Sequence, residues 1–159
     1  MPEIPHVDAV QDMTRTPIDR PRVLLVDDYP DAREMYGQYL DCCGFEVIEA
    51  ANGMEALQRA AESAPDIILM DVSLPVMDGW EATRRLKADR RTAHIPVVAL
   101  TGHALAGMSE GAKAVGCDAF VTKPCLPDAL VTEIRKVLDR CSRSSREVRR
   151  GQDTPSEHP

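Results

Sequence analysis

Aromatic side chains are scarce in this chain: one Trp, three Tyr and two Phe, 4% of its 159 residues. Its core must therefore be aliphatic, and the 43% of hydrophobic residues is enough to cover a sheet with helices. Basic charge is in deficit. Lys and Arg total 19 against 26 Asp and Glu, for a net charge of −7 and a pI near 5.1. Binding to nucleic acid calls for a basic stripe and usually aromatic platforms, so no nucleic-acid partner is expected. Long apolar runs are missing as well. Val23–Val26 and Val97–Leu100 are typical of the longest, far below the ~20 residues that span a bilayer, and no membrane partner is expected. The first twenty residues hold four acids and three prolines without an apolar stretch. They are no secretory signal, and a cytoplasmic location is expected. Cys-x-x-Cys pairs are absent from the five cysteines (Cys42, Cys43, Cys117, Cys125 and Cys141). An odd count with two adjacent members suits neither a disulfide framework nor zinc, so these read as reduced, mostly buried small hydrophobes.

What is present is alternation. Residues 1–20 and 142–159 (SRSSREVRRGQDTPSEHP) are polar and without period, and are expected to be a disordered leader and a disordered polar tail around one domain at 21–141. Inside it, five apolar runs are expected as strands: Arg22–Val26, Phe45–Glu49, Ile67–Met70, Val97–Leu100 and Ala119–Thr122. Segments of helical period follow each. The first carries Ala32, Met35, Tyr36, Tyr39, Leu40 and Cys43 behind Pro30 and ahead of Gly44. The second opens Asn52-x-x-Glu55 and the third Asp78-x-x-Glu81, both patterned as capping boxes. The fourth runs from about Ala104 to Val115 and contains Gly107 and Gly111; the fifth presents Leu130, Val131, Ile134, Val137 and Leu138. Strict β/α alternation implies an α/β fold, a five-stranded parallel sheet with helices on both faces, doubly wound and flavodoxin-like. Strand two, with Glu46 and Glu49, is the most polar and belongs at an edge, and strands one, three and four belong in the middle. A 2-1-3-4-5 order satisfies both, with a switch point between strands one and three.

Chemistry collects where the apolar runs end. Asp27-Asp28 follow the first, Asp71 the third, Thr101 the fourth, and Lys123-Pro124 the fifth. All carboxyl ends of a parallel sheet share one edge, so these side chains should converge. One acid after a strand is an ordinary helix cap; the conjunction is not ordinary. Three adjacent carboxylates repel. Lys123 offsets part of that charge, and a hard divalent cation held by oxygen ligands, Mg²⁺, would offset the rest. A carboxylate beside such a cation, a lysine and a hydroxyl is the apparatus of phosphoryl transfer.

These residues, with Asp71 inside LMDVSLPVMDG, Thr101 inside ALTGHA and Phe120 ahead of Lys123-Pro124, make the chain resemble the receiver domain of bacterial two-component response regulators over Arg22–Arg140. The resemblance implies that Asp71 accepts a phosphoryl group from a histidine kinase or a histidine-phosphotransfer protein. It implies Mg²⁺ at Asp28 and Asp71, with Asp27 acting through water and the backbone carbonyl of Ser73 completing the protein ligands. Lys123 would contact the phosphoryl group, Thr101 would hydrogen-bond it, and Phe120 would be a switch aromatic. The Lys123-Pro124 peptide would be cis. Ser73 and His103 would tune phosphoryl lifetime, and the small Ser73 predicts a short to intermediate one.

Output would be a protein contact through the fourth helical segment, the fifth strand and the fifth helical segment, made to an unidentified downstream protein. The polar tail is too short for an output domain, so a stand-alone receiver, or one excised from a hybrid kinase, is expected. Such a protein is a signalling switch and no enzyme beyond its own phosphoryl transfer and autodephosphorylation. Two alternatives compete. A haloacid-dehalogenase-like phosphatase needs a second acid two residues past its nucleophile, where this chain has Ser73. A degenerate receiver, serving as a phosphorylation-independent docking module, should lack some of the five matching features, and none is missing.

Overall fold

The computed structural model describes residues 20–102 and 114–152. Strand β1 (Arg22–Val26) is followed by α1 (Pro30–Cys42), β2 (Glu46–Ala50), α2 (Gly53–Ser63), β3 (Ile67–Asp71), α3 (Gly79–Ala88), β4 (Val97–Thr101), β5 (Ala119–Thr122) and α4 (Pro127–Gln152). The strands are parallel in the order β2-β1-β3-β4-β5, as the polarity of the strands predicts. Nearly all of β1 and every residue of β3 and β4 are buried, whereas β2 and β5 are partly exposed edges. Glu46 and Glu49 sit on the outer strand β2, where charge discourages pairing with another chain. The fourth helical segment expected from the sequence lies almost wholly outside the described residues.

Alternating side chains divide the core into two layers. Val23, Leu25, Ile67, Leu69, Val98 and Leu100 pack against Tyr36 and Leu40 of α1 and Leu130, Val131, Ile134 and Val137 of α4. The intervening Leu24, Val26, Ile68, Met70 and Val97 pack against Ala56 and Ala60 of α2 and Ala82 and Leu86 of α3. Helix starts follow the expected chemistry. Pro30 opens α1, where its missing N–H costs nothing. The Asn52 side chain accepts from Glu55 N, and Glu55 reaches back to Ala51 N, one residue earlier than a standard box. Asp78 accepts from Glu81 N, while the Glu81 carboxylate turns out to Arg84 and Arg85.

Four expectations need correction. β2 starts and ends one residue later than its apolar run. β3 and β4 each take in one more residue, so Asp71 and Thr101 are the last rungs of their strands, Asp71 aligned with Leu100 and Thr101 with Thr122. Helix α4 runs on to Gln152, where a disordered tail was expected from residue 142. The apolar stripe does end near Cys141, but extending an existing helix adds a hydrogen bond per residue without a new nucleus, and Arg and Glu are good helix formers. The cysteines are less buried than expected: Cys42 is exposed and the other four are half-buried.

One glycine and one valine fix the loop after β3. A Cβ on Gly79 would lie 2.3 Å from the Asp71 carbonyl oxygen and 2.7 Å from Val72 Cα, so α3 begins in direct contact with the backbone of β3. Backbone cannot swing aside, and Gly79→Ala should cost about 2–3 kcal/mol, read as a lowered urea midpoint. Val76 has φ 66 and is fully exposed, at the centre of a tight turn in which Met77 N bonds Pro75 O at 2.7 Å. A β-branched residue pays for that conformation and gains no packing in return. Val76→Asn should raise stability by about 1 kcal/mol; an unchanged midpoint would show the turn to be unstrained.

Candidate functional site

Register brings the acids together. Val26 aligns with Met70 across β1 and β3, so Asp27, the first residue past β1, comes level with Asp71. Asp27, Asp28 and Asp71 each offer a carboxylate oxygen within 4.8 Å of the other two. Asp27 and Asp71 are buried and Asp28 is exposed. Asp27 Oδ1 accepts from Tyr29 N at 2.9 Å, and Asp71 Oδ1 accepts from Ser73 N at 2.9 Å. Each short loop thus orients the carboxylate that precedes it. Lys123 Nζ donates to Asp27 Oδ2 at 2.9 Å and to Asp71 Oδ2 at 3.4 Å. The Lys123-Pro124 peptide is cis.

Thr101 is buried at the end of β4 beside this cluster, and its carbonyl accepts from Lys123 N at 2.6 Å. Ser73 is exposed two residues past Asp71. Phe120 lies on β5 and the residue is 45% exposed, so it is no plain core aromatic. His103 lies outside the described residues. The structure therefore gathers Asp27, Asp28, Asp71 and Lys123 into one nest, sets Thr101 and Ser73 at its rim, and leaves Phe120 on the adjoining surface.

The charges in the nest are unequal in comfort. Burial raises the Asp71 pKa, and the Ser73 N–H and Lys123 only partly counter it; the Asp27 charge adds to the rise. For Lys123, burial alone would disfavour the ammonium, but its hydrogen bond to Asp27 and the charges of Asp71 and Asp27 outweigh that and raise its pKa. Three carboxylates against one ammonium leave two formal negative charges. Each engaged carboxylate oxygen keeps a further lone pair. An all-oxygen donor set of that charge fits a hard divalent cation such as Mg²⁺.

Three contributors went unmarked in the sequence. Arg33 Nη1 donates to the Asp27 carbonyl at 2.7 Å, bracing the end of β1 from within α1. Tyr36 donates its hydroxyl to the Cys125 carbonyl at 2.9 Å. Gly79 lets α3 close on Asp71. Arg33 had no signal beyond its distance from Asp27, Tyr36 read as core, and Gly79 was visible as part of the MDG triplet.

A carboxyl whose folded pKa is raised lowers stability as pH climbs through that pKa, because the folded state must then carry an unwelcome anion. Asp71→Asn removes the anion and keeps an oxygen acceptor for Ser73 N. In chelator-containing buffer the variant should melt several degrees above wild type at neutral pH. The gap should close on acidification through the raised Asp71 pKa toward the ordinary carboxyl value of 3.8, below which Asp71 is protonated in folded and unfolded wild type alike. A variant less stable than wild type at pH 7 would contradict the reading.

Comparison with known proteins agrees with this geometry. The family described as response regulator receiver domain matches residues 23–135. The polar-differentiation response regulator DivK of Brucella anthropi is 37% identical over 116 residues, covering 73% of this chain and 94% of DivK. Among solved structures, the chemotaxis response regulator CheY4 of Vibrio cholerae superimposes with a TM-score of 0.71 at 33% identity, covering 74% of this chain and 98% of CheY4. The receiver domain of sensor histidine kinase PA1611 from Pseudomonas aeruginosa, described with a magnesium ion coordinated in its active site cleft, superimposes with a TM-score of 0.66 at 33% identity, over 76% of this chain and 96% of that domain. A parallel 2-1-3-4-5 sheet with its acids and a lysine at the carboxyl edge, matched over most of its length, makes this chain a member of the response regulator receiver domain family.

Proposed function

We propose that Asp71 is the phosphoacceptor of a two-component system or phosphorelay, receiving its phosphoryl group from a phosphohistidine on a kinase or phosphotransfer protein. An Asp71 carboxylate oxygen attacks phosphorus in line. The new P–O bond forms as the P–N bond breaks, and the departing imidazole takes up a proton. The observation that carries this reading is the lysine ammonium within hydrogen-bonding reach of both buried aspartates, with a third carboxylate beside them.

The chain's residues divide the work. Asp71 is pre-aimed by Ser73 N, which holds one oxygen and leaves the other toward Lys123. Lys123 moves from sharing two carboxylates to neutralising the transferred group, a stabilisation that strengthens as charge spreads over its oxygens. Thr101, at the buried end of β4, donates its hydroxyl to the phosphoryl group once formed. Asp28 and Asp71, the Ser73 carbonyl, and Asp27 through water would hold Mg²⁺. That ion supplies further neutralisation of phosphoryl charge when bound, a fit supported by the mutual approach of the three acids and by the magnesium described for the PA1611 receiver. Ser73 is exposed and small, leaving water a route to Asp71 and favouring a short to intermediate phosphoryl lifetime, with His103 as the second tuning position.

Output passes through a protein contact. Phe120 is half-exposed on the outer strand beside α4, and as a switch aromatic it would turn inward when the site changes, remodelling the β5–α4 surface that a downstream protein would read. The proposal includes a cytoplasmic location, to which the five free thiols lend support.

Intact mass after incubation with Mg²⁺ and a small phosphodonor tests the assignment. Wild type should gain one phosphoryl group, Asp71→Asn none, and wild type in excess chelator none. Gain by Asp71→Asn would move the acceptor elsewhere, and no gain by wild type would favour a docking module.

A further inference from the structure

Tyr36 takes no part in the chemistry above, yet its hydroxyl is tied to the segment that carries Lys123. The residue is buried in α1, its ring packs in the layer with Leu40 and the α4 side chains, and its hydroxyl donates to the Cys125 carbonyl at 2.9 Å, joining residues 89 apart in sequence. Cys125 stands two residues past Lys123.

Lys123 needs such a tie because of where it starts. β5 is the outermost strand and pairs with β4. Asp71 belongs to β3, two strands inward, and Asp27 follows β1, three strands inward. With strands spaced by about 4.8 Å, the ammonium works near the end of its side chain's reach, and a small outward slide of its backbone would break contacts of 2.9 and 3.4 Å. On the sheet side the backbone is held by Lys123 N to Thr101 O. Beyond that, among the described residues, the next backbone hydrogen bond in this direction is Leu130 N to Leu126 O, in the first turn of α4. The Tyr36 hydroxyl bonds the stretch between these two points.

We infer that Tyr36 is a positioning residue for phosphoryl transfer, holding the segment behind Lys123 so that the ammonium reaches across to Asp27 and Asp71. The inference rests on the receiver reading. A phenylalanine would fill the same core volume, so what is assigned is the work of the hydroxyl.

The test uses the full chain with Mg²⁺ and phosphoramidate, following phosphorylation of Asp71 by intact mass. Tyr36→Phe should slow the rate about fivefold to tenfold, the worth of one lost hydrogen bond. In a Lys123→Ala background the same substitution should change the rate less than about twofold, because the group it acts through is gone. Hydrogen exchange at residues 123–126 should quicken in Tyr36→Phe while β1 and β3 stay protected. A wild-type rate in Tyr36→Phe overturns the inference. So does an equal loss in both backgrounds, which marks a general structural effect, or unchanged exchange at 123–126. Wild type that gains no phosphoryl group on Asp71 overturns the receiver reading itself, an outcome distinct from the others.

Discussion

An ammonium on the outermost strand has to answer for carboxylates two and three strands away, and much of the architecture serves that reach. Parallel strands of four or five residues end with a stagger of at most a residue between neighbours, so the side chains at their carboxyl ends form a row. The row would be repulsive if left to its acids. Lys123 spans it, Ser73 and Tyr29 give backbone N–H groups to its buried members, and Arg33 braces it from α1. Even so, three carboxylates outnumber one ammonium, and burial disfavours the charged form of Asp71. That excess of acid is what suits the site to a cation and, under the proposed function, to a phosphoryl group.

Much of this is legible in the residues. Alternation of apolar runs with helical periods gives the fold class, and polarity alone sorts the strands: Glu46 and Glu49 put β2 outside, while unbroken aliphatic runs put β1, β3 and β4 inside. The site is legible because parallel strands make position in sequence equivalent to position in space. Polar residues that close different apolar runs must meet. What hides is whatever depends on a partner far along the chain. Periodicity assigns Tyr36 to the core, which is true of its ring, but no local pattern can say that its hydroxyl meets a carbonyl 89 residues later. Likewise, apolar period reports where a helix buries a face and falls silent where α4 continues without one. Asp71 and Thr101 read as following their strands because a polar side chain ends an apolar run, although backbone pairing is indifferent to the side chain and carries on.

The two core layers have different textures. The layer under α1 and α4 is filled by Leu, Ile, Val, Tyr36 and Phe45. The layer under α2 and α3 uses Ala50, Ala56, Ala60 and Ala82 among its larger members. Gly53 and Gly79 at the two helix starts carry this further: a Cβ on Gly53 would sit 3.0 Å from the Met77 carbonyl oxygen, and one on Gly79 would overlap the backbone of Asp71. The segment between β3 and α3 is thereby clamped from both sides, and the strained φ of Val76 is the conformational cost of threading a short turn through that space.

The contact between Gly79 and the Asp71 carbonyl gives the molecule a stiff flank and a compliant one. On the α3 side, steric contact with the backbone means that the strand end and the helix start travel as one piece, leaving no slack in which a local disturbance could dissipate. On the β5 side, the same carboxylate is linked through a long side chain and a few hydrogen bonds, which lengthen and re-form at little cost. Under the proposed function, a rearrangement provoked at Asp71 would meet resistance at α3 and pass more easily toward β5.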